Sequence, residues 1–275
     1  MKKLIVLAMV LGLVSIASAA DSNWTGAAGD NEYSNPGNWS DGLPSIAGEL
    51  GAFIDMDGAV VNVNGTGNSA RRLFTQGAGG SGTVTMNVYG AIDSLLYAAL
   101  GKTGGTGIMN VYTGADVYFK GLSVGDVGTG ILNIYDGNVK IGKDGDNLNF
   151  GIAGAWQNAG TGTVNLYGGV LDLSEAKQFN MATNSGATAT LNLAGGSLIL
   201  PGTVNDLRYG PGVIVTLGGT INIQVYGTNT PGDYNDSNIV YTPDGNGNTI
   251  VTAVPEPATV ALLGLGGLAL IRRKR

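Results

Sequence analysis

Carboxylates, lysines and tyrosines are the side chains left to do chemistry in this chain of 275 residues, which contains no Cys and no His. That removes thiol nucleophiles, disulfides, Cys/His metal centres and any mechanism resting on a histidine base. Three placements of acids invite a chemical reading. Asp116 and Asp136 fall near the first turns of successive repeats, and a glycosidase needs two carboxyl groups about 5–9.5 Å apart. Both also read as solvated corner residues. Asp144-Gly145-Asp146-Asn147 puts Asp144 and Asp146 in one loop, a weak calcium candidate that lacks the ligand spacing of a full calcium loop. Asp172 is the one acid among the outward positions Tyr118, Lys140, Asp172, Ile199 and Asn222. A single carboxylate cannot supply the roughly six to eight oxygens of a hard-cation site. Glycine tracts such as Gly104-Gly105-Thr106-Gly107 lack the lysine and the strand-to-helix setting of a phosphate loop. The expectation is a chain with no catalytic residue, no cofactor and no enzyme activity.

The elements that must position these residues are set by a repeat. One phrase recurs as Thr85-Met86-Asn87-Val88-Tyr89, Ile108-Met109-Asn110-Val111-Tyr112, Ile131-Leu132-Asn133-Ile134-Tyr135, Thr163-Val164-Asn165-Leu166-Tyr167 and Thr190-Leu191-Asn192-Leu193-Ala194. Weaker copies stand at Val61-Asn62-Val63-Asn64 and Val215-Thr216-Leu217-Gly218. From Asn62 to Thr216 the central position advances by 25, 23, 23, 32, 27 and 24 residues. Each phrase ends in a Gly turn. An alternating strand follows (Val117/Phe119, Val139/Ile141, Leu171/Leu173), then a short third strand (Leu122/Val124, Phe150/Ile152, Phe179/Met181). Period-two alternation marks strands with one buried face. Three strands and three corners per unit predict an all-β, right-handed parallel β-helix, a β-solenoid of about seven coils, since one coil cannot bury its apolar face without a stacked neighbour. An antiparallel β-sandwich is the competing fold, and it predicts neither a fixed repeat nor an aligned Asn column.

On this reading the Asn column and the tyrosines Tyr89, Tyr112, Tyr135 and Tyr167 share the outward parity. A row of exposed tyrosines suits stacking on sugar rings, and it equally suits a ladder that ties coil to coil. A regular solenoid face also raises ice binding, for which columns of Asn and Tyr are a poor match. Residues 21–58 are read as an N-terminal cap, 59–226 as the repeats, and 227–252, rich in Asn, Asp, Gly and Thr, as a C-terminal cap or spacer.

The ends read as addresses. Lys2 and Lys3, an apolar run from Leu4 to Ile16 and the small residues Ala17-Ser18-Ala19-Ala20 form the three-part layout of a secretory signal peptide over 1–20, with an N-terminal signal helix. At the other end Val254-Pro255-Glu256-Pro257 precedes an apolar run from Ala258 to Ile271, a C-terminal hydrophobic helix short for a permanent span. The chain stops in Arg272-Arg273-Lys274-Arg275, a basic cluster that stays cytoplasmic. Without the six terminal Lys and Arg residues and Glu256, 8 basic and 19 acidic side chains remain, a net of −11. Nucleic acid is therefore excluded as a partner.

This tail resembles the PEP-CTERM sorting signal over 253–275, in the Pro255-Glu256-Pro257 motif, the apolar stretch and the basic cluster Arg272, Arg273, Lys274 and Arg275. The resemblance implies an exosortase and, with the leader, a signal peptidase as partners during export. It further implies transient anchoring in the inner membrane, a bacterium of the Gram-negative type, and release to the cell surface or extracellular matrix. Asn38-Trp39-Ser40-Asp41-Gly42-Leu43-Pro44 with Phe53-Ile54 is similar to the opening of autotransporter-like β-helix proteins. The function expected is an exported structural or adhesive protein of the cell surface or exopolysaccharide matrix, in contact with extracellular polysaccharide. The alternatives are a glycan-binding module using the Tyr and Asn columns and, behind it, a carbohydrate-active enzyme.

Overall fold

A computed structural model describes residues 21–76, 81–142, 150–153, 160–176, 179–182, 186–200, 207–209, 213–217, 222–226, 239–243 and 248–253. The signal helix and the C-terminal hydrophobic helix lie outside the described residues.

The repeated phrase forms one face of the molecule. Its strands Val60–Val63, Thr83–Val88, Thr106–Val111, Thr129–Ile134, Thr161–Leu166, Thr188–Leu193 and Val213–Leu217 pair in parallel as a seven-stranded sheet. Register follows the phrase: Asn62, Asn87, Asn110, Asn133, Asn165, Asn192 and Thr216 are successive partners. The second and third strands of each coil belong to one fifteen-stranded sheet. They are separate in Asn138–Ile141 and Phe150–Ile152, but run together in Ala91–Leu100 and Asp116–Val124. The fold is a parallel β-solenoid of about five turns, fewer than the seven coils expected. Val60–Val63 and Val213–Leu217 are the edge strands of the seven-stranded sheet. Asn222–Tyr226 pairs in parallel with Ser197–Leu200 on one side and antiparallel with Asn248–Ala253 on the other, which in turn pairs with Ile239–Pro243.

The core is built from the inward alternates of all three faces. Met86, Met109, Leu132 and Val164 from the first face, Phe119, Ile141 and Leu171 from the second, and Leu122, Phe150 and Phe179 from the third are all buried. Each inward side chain meets the like position of its neighbours about 4.8 Å above and below. Burying one such Leu, Ile or Phe contributes about 1.5–3 kcal/mol, so every stacked coil adds to the same continuous core.

In the three central coils a glycine stands inward at the start of the repeated phrase, where Val84 and Ala189 occupy the same column in the flanking coils. Gly107, Gly130 and Gly162 are register partners, and each sits under the corner where the third strand turns into the next coil. The corner residues Gly101, Gly125 and Ala153 have φ of 64°, 79° and 57°. A Cβ on Gly130 would lie 2.1 Å from the Gly125 nitrogen and 2.7 Å from the Leu100 oxygen.

The N-terminal segment closes the stack. Trp24 and Trp39 meet edge to face at 5.1 Å, as do Tyr33 and Trp39. Trp39 Nε1 donates to the Tyr33 carbonyl (2.8 Å) and Tyr33 Oη to the Ser69 carbonyl (3.0 Å). The Tyr33 amide donates to the Asn62 carbonyl, and the Asn62 amide donates to the Asn31 carbonyl. These two bonds fill backbone groups of the first edge strand, which would otherwise invite another chain. Next to the cap, the Arg72 guanidinium lies 5.9 Å from the rings of both Phe53 and Phe74, and pairs with Asp21 at 3.0 Å.

Replacing Gly130 by Ala presses a methyl group into the neighbouring corner. We expect Gly130→Ala to cost about 1–3 kcal/mol, the usual range for overpacking, read as a lowered thermal midpoint by circular dichroism. An unchanged midpoint would mean that the corner does not constrain this position.

Candidate functional site

The outward side of the first face is made of like residues stacked on like. Thr83, Thr106, Thr129, Thr161 and Thr188 are register partners. So are Thr85, Ile108, Ile131, Thr163 and Thr190, and then the asparagines. No outward position in these five strands carries a charge. The threonine column was missed in reading the sequence, although Thr-Gly precedes the phrase at 106, 129 and 161.

The asparagines are joined in one direction. Asn87 Nδ2 donates to Asn62 Oδ1 (3.3 Å), Asn110 to Asn87 (2.9 Å), Asn133 to Asn110 (2.8 Å), Asn165 to Asn133 (2.7 Å) and Asn192 to Asn165 (2.7 Å). The side chains are half-buried, so each bond both satisfies an amide and fixes the register of the coil above. The tyrosines stack face to face: Tyr89 on Tyr112 at 4.7 Å and 8°, Tyr112 on Tyr135 at 5.2 Å and 13°, Tyr135 on Tyr167 at 5.3 Å and 11°. Tyr89, Tyr135 and Tyr167 are 42–49% exposed. The ring faces between neighbours are spent on one another, and what the column turns to solvent is ring edges and hydroxyls. Partial burial, followed by the neighbouring Tyr89 and Tyr135, raises the Tyr112 phenol above its ordinary value; complete burial raises Tyr33 much further.

The second face is ordered differently. Its outward columns are Asp116, Asn138 and Val170, and beside them Tyr118, Lys140 and Asp172. Between these columns runs a groove of about 390 Å³ that crosses three coils. Asn138 Nδ2 donates to Asp116 Oδ1 (2.9 Å), and Lys140 Nζ to Glu175 Oε1 (2.6 Å). The Lys140 ammonium lies 5.6 Å from the Tyr118 ring centroid, a cation–π distance. The Ser174 amide donates to Asp172 Oδ1 (2.9 Å). The Glu175 hydrogen bond raises Lys140 above its ordinary value, against the opposing effect of desolvation.

The remaining candidates have these partners. Asp116 takes Asn138, whereas Asp136 takes the Thr113 hydroxyl (3.3 Å). Asp144 and Asp146 lie outside the described residues, as do Pro255, Glu256, Pro257, Arg272, Arg273, Lys274 and Arg275. Among the described residues no group of three or more acids could hold a metal ion.

Residues 253–275 match the family described as PEP-CTERM protein-sorting motif. No curated protein and no solved structure matches the chain. The motif implies an exported protein processed by an exosortase.

Two measurements follow from the ladders. Asn133→Ala removes two ladder bonds and Asn192→Ala one. At about 0.5–1.5 kcal/mol for each bond, the central substitution lowers stability by about twice the terminal one, read by denaturant unfolding; equal costs would show that the amides are not coupled. The raised phenols give an alkaline limit. Tyr33 and Tyr112 hold their protons more tightly folded than unfolded, so the unfolded chain loses protons first and stability falls as pH rises past about 10. The denaturation midpoint should drop through that range, and less steeply in Tyr33→Phe.

Proposed function

We propose that this is an exported, non-enzymatic structural or adhesive protein of the cell surface or exopolysaccharide matrix of a Gram-negative-type bacterium, held transiently in the inner membrane until an exosortase cuts its tail. The observation that carries this reading is the union of a sorting motif at 253–275 with a solenoid whose outward Asn and Tyr side chains are spent on one another. A protein that must persist outside the cell without disulfides gains from such a body, because every coil is tied to the next through backbone, core and surface at once. Signal peptidase removes the leader in the same scheme.

The test is the mass of the mature chain in surface and medium fractions of its own host. Loss of the first 19 or 20 residues together with a cut near Pro255-Glu256-Pro257 is the outcome expected. An intact C-terminus recovered from the inner membrane would overturn the scheme and leave a tail-anchored solenoid in the periplasm.

A further inference from the structure

We propose that the groove on the second face, between the Asp116–Asn138–Val170 and Tyr118–Lys140–Asp172 columns, binds a short stretch of neutral oligosaccharide lying along the solenoid axis. The inference rests on the exported reading for access to such a ligand, but not on the structural role.

The two faces of the solenoid differ in how their outward residues stack. On the first face like stacks on like, so hydrogen-bonding groups and ring faces are used up within the ladder. On the second face the order is interrupted. Val170 follows Asn138 in register and cannot continue the amide-to-carboxylate bond that Asn138 makes to Asp116. Asp172 follows Lys140, but the Lys140 ammonium is already held by Glu175. Hydrogen-bonding capacity is therefore left over where the ladder breaks, and the groove lies at that break.

Shape and charge then select the ligand. A volume of about 390 Å³ is within the range of small-ligand sites, about 300–1,000 Å³, and three coils at about 4.8 Å each make the groove elongated along the axis. Val170 and the part of the Tyr118 side chain that borders the groove, beside the ring contact it makes with Lys140, offer apolar surface for the C–H groups of a sugar. Asp116 and Asp172 offer carboxylate oxygens, which accept charge-assisted bonds from paired hydroxyls. The carboxylates Asp116, Asp172 and Glu175 outnumber the ammoniums of Lys140 and, two positions beyond Tyr118 on the same face, Lys120, and the field repels uronates and sulfated sugars. The tyrosine column of the first face lacks this combination of apolar surface and carboxylate acceptors.

The experiment is isothermal titration of the exported full chain with cellohexaose, maltohexaose and a hexamer of galacturonic acid. At least one neutral hexamer should bind, with a Kd of about 0.1–1 mM, and the anionic hexamer should not. Asp172→Asn keeps the size of the side chain and should weaken binding about tenfold, as should Tyr118→Ala. Tyr135→Ala, on the first face, should leave it unchanged. Thermal melting of each variant separates lost binding from lost fold, and should Tyr118→Ala unfold, Asp172→Asn alone decides. The inference is overturned if neither neutral hexamer binds, if binding survives Asp172→Asn, if only the anionic hexamer binds, or if Tyr135→Ala abolishes it. None of these results bears on where the tail is cut, so the export scheme stands or falls separately.

Discussion

Parallel in-register stacking is the constraint on which the rest of this molecule depends. Once Asn133 lies over Asn110, every residue of the strand Thr129–Ile134 is placed over its counterpart, and a slip by one would turn the core face outward. The hydrophobic alternation alone would permit a slip by two. The amide ladder does not, because a displaced Asn would leave a half-buried amide without its partner. An uncompensated buried polar group costs about 1–3 kcal/mol, comparable to burying a whole aliphatic side chain. Specificity of register thus resides in the outward polar residues, while the bulk of the stabilisation resides in the inward apolar ones.

The same constraint divides the surface. Where the repeats are alike, as in the first-face strands from Thr83–Val88 to Thr188–Leu193, stacking produces columns that satisfy themselves. Where they diverge, as at Val170 and Asp172, it sets unlike groups side by side and leaves functions open. Divergence of the repeat on one face and uniformity on the other are thus two consequences of a single register.

Much of this was readable from residues, for definite reasons. Fold class, the inward alternates and the outward parity of the Asn and Tyr positions were legible because identical residues recur at a nearly constant step. The stacking geometry was not. Whether tyrosines in a column offer faces or edges depends on side-chain torsions, and the faces proved to be turned toward one another. The row Tyr118, Lys140 and Asp172 was legible across the long step of 32 residues, but the groove beside it escaped notice because its depth depends on how the side chains of two neighbouring rows stand. The burial of Tyr33 was equally hidden, since nothing local to Asn31-Glu32-Tyr33 reveals that Trp39 and Ser69 converge on it.

The direction of the asparagine bonds has a further consequence. All five run from the later coil to the earlier one, whereas the backbone bonds of a parallel sheet leave each strand toward both neighbours. Side-chain dipoles aligned head to tail add and polarise one another. The solenoid is therefore an electrically vectorial object, with distinguishable ends even where its covalent repeat looks symmetric. Two such bodies lying side by side have their lower electrostatic energy when antiparallel, and two lying end to end when they point the same way. A polarity written into six amides would then set how many copies of the molecule could be laid down in an ordered layer.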